Sequence, residues 1–211
     1  GVDGPIDSVV PDLAFLLPPV ADAERPAGAP LVVGVGMMTY HGWHSSAGVY
    51  DTYIDQHARL IEWLQERGYG VRMILGQTPA DAGAARDVDA RLKQRVLTPR
   101  EENATSIHDA MAVIAETDLV IASRYHVQIA ALKMGRPLIG LSYGPKTDAL
   151  MADVGLSEFC QDLDHVDFNR LTQQVEKMVA GREAYAAQVR EKVAAMKAKL
   201  IAALKALDLS A

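Results

Sequence analysis

An arginine, a histidine, a tyrosine and a lysine stand where two apolar runs end. In "DLVIASRYHVQIAALKMGRPLIGLSYGPK", residues 118–146, the run 119–122 is followed by Arg124 and His126, and the run 138–141 by Tyr143 and Lys146. A guanidinium grips a carboxylate or phosphate through paired N–H donors. An ammonium adds a point charge, and an imidazole titrates near neutral pH and can give or take a proton. Together these types describe an anion site with a titratable group. Each also has a plainer reading: a surface charge, a helix histidine, a packing tyrosine. Arg124, however, opens a helix, where the dipole disfavours a cation, and that argues for a ligand.

For these side chains to meet, the two apolar runs must be neighbouring strands of a parallel sheet. Such sheets bind ligands beyond the carboxyl ends of their strands, where helix N-termini offer unpaired N–H groups. The rest of the chain supports this arrangement. Residues 31–38 and 71–75 read as buried strands, and residues 49–67 repeat Val49, Tyr53, Leu60, Ile61 and Leu64 at helical spacing. A polar helix is expected over 83–93 and a short strand over 95–97. Thr105 or Ser106 caps a helix that buries Ile107, Met111 and Ile114. Helices follow over 124–134, ended by Gly135 and Pro137, then 146–154, ended by Gly155, then 168–179. Alternating strands and helices predict an α/β fold: an open parallel sheet with helices on both faces. Asp81, Asp87 and Asp89 read as a solvated helix face.

The last segment, 182–207, is one long helix with a stripe of Tyr185, Val189, Val193, Met196, Leu200, Leu204 and Leu207. Two uses remain open. The stripe packs on its own domain, or it docks on another domain or on a second copy of the chain, giving a homo-oligomer.

A second loop, "MTYHGWHSS" at 38–46, follows the first strand and gathers Tyr40, His41, Trp43 and His44, a set suited to stacking on a sugar ring. No third ligand has the spacing a metal would need, so no metal is expected. Gly34 and Gly36 begin a dinucleotide fingerprint, but Thr39 stands in the third glycine position. The nucleophile elbow, the P-loop and the HExxH motif are absent.

The net charge of −6 gives no basic excess to neutralise phosphates, which argues against nucleic acid. No apolar run approaches the roughly 20 residues that span a bilayer. With a lone Cys160 and no signal-peptide pattern, the expected location is cytoplasmic. Cys160 itself reads as a buried, inert thiol. Six of the ten prolines lie within residues 1–30, and the first residue is Gly1 rather than Met. The expected organisation is a Pro-rich lead-in or interdomain linker over 1–30, a ligand-binding domain over 31–181 and the C-terminal helix over 182–211. The chain then reads as a piece of a longer protein.

The block "TDLVIASRYHVQIAALKMGRPLIGLSYGPK", 117–146, continued by "DALMADVGLSEFCQDL" at 148–163 and preceded by "VPDLAFLLP" at 10–18, resembles the polysaccharide pyruvyl transferases. The resemblance implies one Rossmann-like half of a GT-B-like enzyme, with a missing N-terminal half-domain forming the other wall of the cleft. It implies transfer of a pyruvyl group from phosphoenolpyruvate to a sugar hydroxyl of a cell-surface glycan, with no separate cofactor, and negligible activity for this half alone. Arg124 and Lys146 then hold the anionic donor and His126 acts as general acid. Ser123, Tyr143, Tyr40 and His41 are the candidate substrate contacts. The alternatives are a GT-B glycosyltransferase half that grips a nucleotide-sugar pyrophosphate, and a non-catalytic module that docks through its last helix.

Overall fold

The computed structural model describes residues 9–41, 48–76, 80–96 and 106–206. Five strands form one sheet: β1 (Val32–Met37), β2 (Gly70–Leu75), β3 (Leu119–Ala122), β4 (Leu138–Ser142) and β5 (Cys160–Asp162). Their spatial order is β2-β1-β3-β4-β5 and every pairing is parallel. The helices are α1 (Val49–Glu66), α2 (Ala80–Arg91), α3 (Ile107–Ile114), α4 (Tyr125–Lys133), α5 (Pro145–Asp153), α6 (Phe168–Ala180) and α7 (Arg182–Ala206). The expected open parallel α/β sheet is present.

Covered on both faces, β3 and β4 are buried at every position, which is why their sequences are continuous apolar runs rather than alternating ones. Gly34 and Gly36 serve the same packing. A Cβ at Gly34 would lie 2.6 Å from Ile74 Cδ1, and one at Gly36 would lie 2.8 Å from Ala122 Cβ. The incomplete fingerprint is therefore explained by close side-chain packing on the sheet face.

The strand order reverses direction between β1 and β3. The chain leaves β1 toward β2 and then runs back through β3, β4 and β5. With right-handed crossovers, α1 covers one face and α3, α4 and α5 the other. The helices following β1 and β3 thus diverge and open a crevice at the carboxyl edge, the switch point at which such sheets take ligands.

Three readings of the sequence change. β5 went unseen because it is three polar or half-polar residues long. Gln161 is buried there and satisfied by its side chain, which donates to Gln174 (2.7 Å) and accepts from the Asp167 N–H (2.9 Å). Arg95 and Val96 form no strand, since the Val96 N–H donates to Asp89 (2.8 Å); Leu97 lies outside the described residues. Of the aspartates of α2, Asp87 is exposed as expected, but Asp81 and Asp89 do not belong to a solvated face. Asp81 and Asp89 are fully buried, each paired with an arginine, Arg124 and Arg95 respectively.

Ser106 caps α3 through a complete capping box with Asp109. On α7, Val189 and Leu200 are fully buried and Tyr185, Val193, Met196 and Leu204 partly so. The helix packs on α4 and on the short turn Leu13–Leu16, so the stripe closes its own domain; Leu207 lies outside the described residues. The lead-in is fastened there too. Phe15 is buried, and Lys133 donates to the carbonyls of Phe15 (2.8 Å) and Leu17. Among the described residues no helix is long and apolar enough to cross a membrane.

Candidate functional site

Residues from three places meet at the switch point: Thr39 after β1, Gly76 and Asp81 between β2 and the first turn of α2, and Arg124 after β3. Arg124 is the N-cap of α4, with extended backbone and no side-chain cap bond. Its carbonyl accepts from the Val127 (3.0 Å) and Gln128 (3.1 Å) N–H groups, so the helix is started by the backbone and the side chain is left for other work. That side chain crosses Gly76, directly after β2. A Cβ there would lie 2.4 Å from Arg124 Cδ and 2.7 Å from Val127 Cγ2, so the crossing requires glycine. Beyond Gly76 the guanidinium meets Asp81 Oδ1 in the first turn of α2.

Asp81 does more than neutralise Arg124. The same oxygen accepts from the Thr39 N–H (3.3 Å), and Thr39 Oγ1 donates to the Ala80 carbonyl. The carboxylate thereby ties all three places, and its position in the first turn of α2 suits a negative charge. Asp81 is fully buried, while Arg124 keeps 20% of its side chain exposed.

Below this lock, the Tyr53 hydroxyl accepts from the Met38 N–H (3.0 Å) and fixes the end of β1. Burial pushes the Tyr53 phenol well above its usual range. Its ring lies 3.9 Å from that of His57, whose Nδ1 is 2.8 Å from the Tyr53 carbonyl oxygen. His57 is buried, and its Nε2 has no hydrogen-bond partner among the described residues. Desolvation lowers its pKa to about 4. Ser123 is fully buried beside the Tyr53 hydroxyl, and its Oγ forms no hydrogen bond of normal geometry among the described residues.

The other expected contacts are distributed along the same edge. Tyr40 is 6% exposed and donates to Asp164 Oδ1 (2.6 Å), after β5. Burial and that bond raise its pKa, and the ring is a tie between loops rather than an open stacking platform. His41 is exposed and stacked on Tyr50, with ring centres 5.1 Å apart. Trp43 and His44 lie outside the described residues. His126 stands on the first turn of α4, exposed, its ring edge-on to Tyr125.

Tyr143 lines a hollow of about 460 Å³ beyond β4 and β5, together with Asp148, Asp162 and Asp164. Cys160 borders it, its thiol 3.6 Å from Asp148 Oδ1 and pushed up to about 12 by burial and that carboxylate, which leaves it unreactive. Lys146 goes elsewhere. It is exposed near the start of α5 and lines a groove of about 630 Å³ with Asp12, Tyr125, Asp153 and Lys199. The strands do pair side by side as expected, but Arg124, Tyr143 and Lys146 line three different surfaces.

Sequence reasoning missed Asp81 and Gly76. The available signal was their position directly after β2, at the edge where ligands bind. An acidic residue among the alanines of α2 must be paired if that face is buried.

The fold is an open parallel α/β domain of Rossmann-like type, with an arginine anchored by a buried carboxylate at its switch point. Sequence comparison refines that class: the polysaccharide pyruvyl transferase profile matches residues 1–145, and the chain belongs to this family. No curated protein matches it. Among solved structures it is similar to one described as the glycotransferase of kitacinnamycin, at 19% identity and a TM-score of 0.47, over 83% of this chain and 42% of that one. The chain thus spans less than half the length of that neighbour.

Proposed function

We propose that this chain is the donor-binding half of an enzyme that transfers a pyruvyl group from phosphoenolpyruvate to a sugar of a cell-surface glycan. The observation that carries the reading is Arg124, fixed at the switch point in the RxH block of a pyruvyl transferase family member. Its exposed edge meets the carboxylate or phosphate of the donor. Asp81 offsets part of its charge, so a trianion needs further cations. Lys146, exposed in its own groove, adds a weak long-range attraction, and a second half-domain across the cleft supplies the further cations. Tyr143 and His41 border the bound donor and acceptor, whereas Ser123, fully buried beside the Tyr53 hydroxyl, touches neither, and the chain alone turns over negligibly.

His126, exposed on the first turn of α4, gives a proton to the methylene carbon of phosphoenolpyruvate. That makes the adjacent carbon electrophilic. A sugar hydroxyl forms a C–O bond to it and its proton returns to His126. The C–O bond to phosphate then breaks, and a second hydroxyl closes a cyclic ketal, its proton leaving with the inorganic phosphate.

The test uses the protein with both halves, phosphoenolpyruvate and glycan acceptor, and follows phosphate release. His126→Ala cuts turnover strongly and leaves phosphoenolpyruvate affinity nearly unchanged. A variant that turns over normally removes His126 from the reaction.

A further inference from the structure

We propose that Asp81 is the positioning residue of the donor site: it holds the Arg124 guanidinium in its anion-gripping orientation and couples that orientation to the loops after β1 and β2. The inference rests on the reading of the crevice as the phosphoenolpyruvate site and adds a residue to it.

A carboxylate beside an anion site has two opposing effects. Its charge repels the ligand. It also immobilises a long side chain that would otherwise lose rotamer freedom on binding. The geometry favours the second effect. Asp81 is fully buried, so its charge faces Arg124 and Thr39 rather than the crevice, whereas Arg124 retains an exposed edge. Gly76 removes the side chain that would block the crossing, and its absence of a Cβ is matched to Arg124 Cδ. Residues after β2, at the start of α2 and after β3 are therefore shaped around one guanidinium. A surface arginine at a helix start needs none of this.

The experiment measures phosphoenolpyruvate affinity of the 211-residue chain by calorimetry, with the side-chain nitrogen resonances of Arg124 followed by NMR. Arg124→Ala weakens binding at least about 30-fold. Asp81→Ala weakens it about tenfold and broadens the Arg124 side-chain signals, which the wild type shows resolved. Asp81→Asn keeps one acceptor oxygen and recovers part of the loss. The double variant Asp81→Ala with Arg124→Ala binds no more weakly than Arg124→Ala alone.

Wild-type or tighter binding by Asp81→Ala overturns the proposal, because repulsion then outweighs positioning. So does an additive loss in the double variant, which a general weakening of the fold produces. Should Asp81→Ala not fold, Asp81→Asn carries the same two comparisons: it binds more weakly than wild type and adds nothing to Arg124→Ala, and wild-type affinity or additivity overturns the proposal. If Arg124→Ala itself binds like wild type, the donor-site reading fails and takes this inference with it. That outcome is separate from a failure confined to Asp81.

Discussion

The mouth between β1 and β3 and the hollow beyond β4 and β5 share one edge of one sheet, yet their chemistry is opposite. The first presents a guanidinium locked to a buried carboxylate. The second is lined by Asp148, Asp162 and Asp164 and, among the described residues, by no arginine or lysine. Helix N-termini face both, so the helix dipole alone does not decide which takes an anion. Topology and side chains distinguish the two: the crossover direction changes between β1 and β3, and there Thr39, Asp81 and Arg124 meet.

Breaking the lock should have the largest effect. Arg124→Ala is expected to weaken phosphoenolpyruvate binding by about 2–5 kcal/mol, the range for truncating one partner of a buried charge contact. The Asp148→Ala change in the acidic hollow should leave that affinity unchanged or slightly improved. Equal losses at the two places would erase the distinction between them.

The support beneath the mouth should be acid-sensitive. The folded-state pKa of His57 is lowered from its ordinary 6.5 to about 4. Between those values the unfolded chain binds a proton that the folded chain refuses. Stability is therefore full above about pH 6.5 and falls by about 3 kcal/mol as pH drops to about 4. Denaturant midpoints across this window, in wild type and His57→Phe, check it: the variant should lose most of the slope.

Gly76→Ala sharpens the comparison from the side of packing. The added methyl collides with Arg124 Cδ and Val127 Cγ2, so about 1–3 kcal/mol of stability should be lost, with reduced phosphoenolpyruvate affinity. Removing one hydroxyl in Tyr40→Phe should cost about 1 kcal/mol through the lost bond to Asp164, read as a lower melting temperature. Lys146→Ala should change donor affinity least, by about 0.2–1 kcal/mol, as an exposed charge on a flexible stem does. A loss as large as that of Arg124→Ala would show that Lys146 leaves its groove and completes the clamp.

The fold was legible wherever burial on both faces wrote a continuous apolar run, as in β1, β3 and β4, and wherever a helix had a stripe or a cap, as in α1 and α3. β5 was not, because its buried residue is a glutamine satisfied by its own neighbours. In the candidate site, the place of Arg124 at a helix start, unfavourable for a cation, was legible. Asp81 was hidden because α2 has no apolar stripe to reveal its buried side. The grouping of Arg124 with Lys146 rested on nearness in sequence to paired strand ends. A strand end fixes where a side chain starts, whereas its direction depends on the helix that follows, and α5 directs Lys146 toward the lead-in and α7.

The central claim is that the Arg124 crevice is a phosphoenolpyruvate site. Its most direct test is a paired calorimetric titration of this chain with phosphoenolpyruvate and with a uridine diphosphate sugar, repeated on Arg124→Ala. The account predicts preference for phosphoenolpyruvate, lost in the variant. Preference for the nucleotide sugar, or phosphoenolpyruvate binding that survives removal of Arg124, would contradict it.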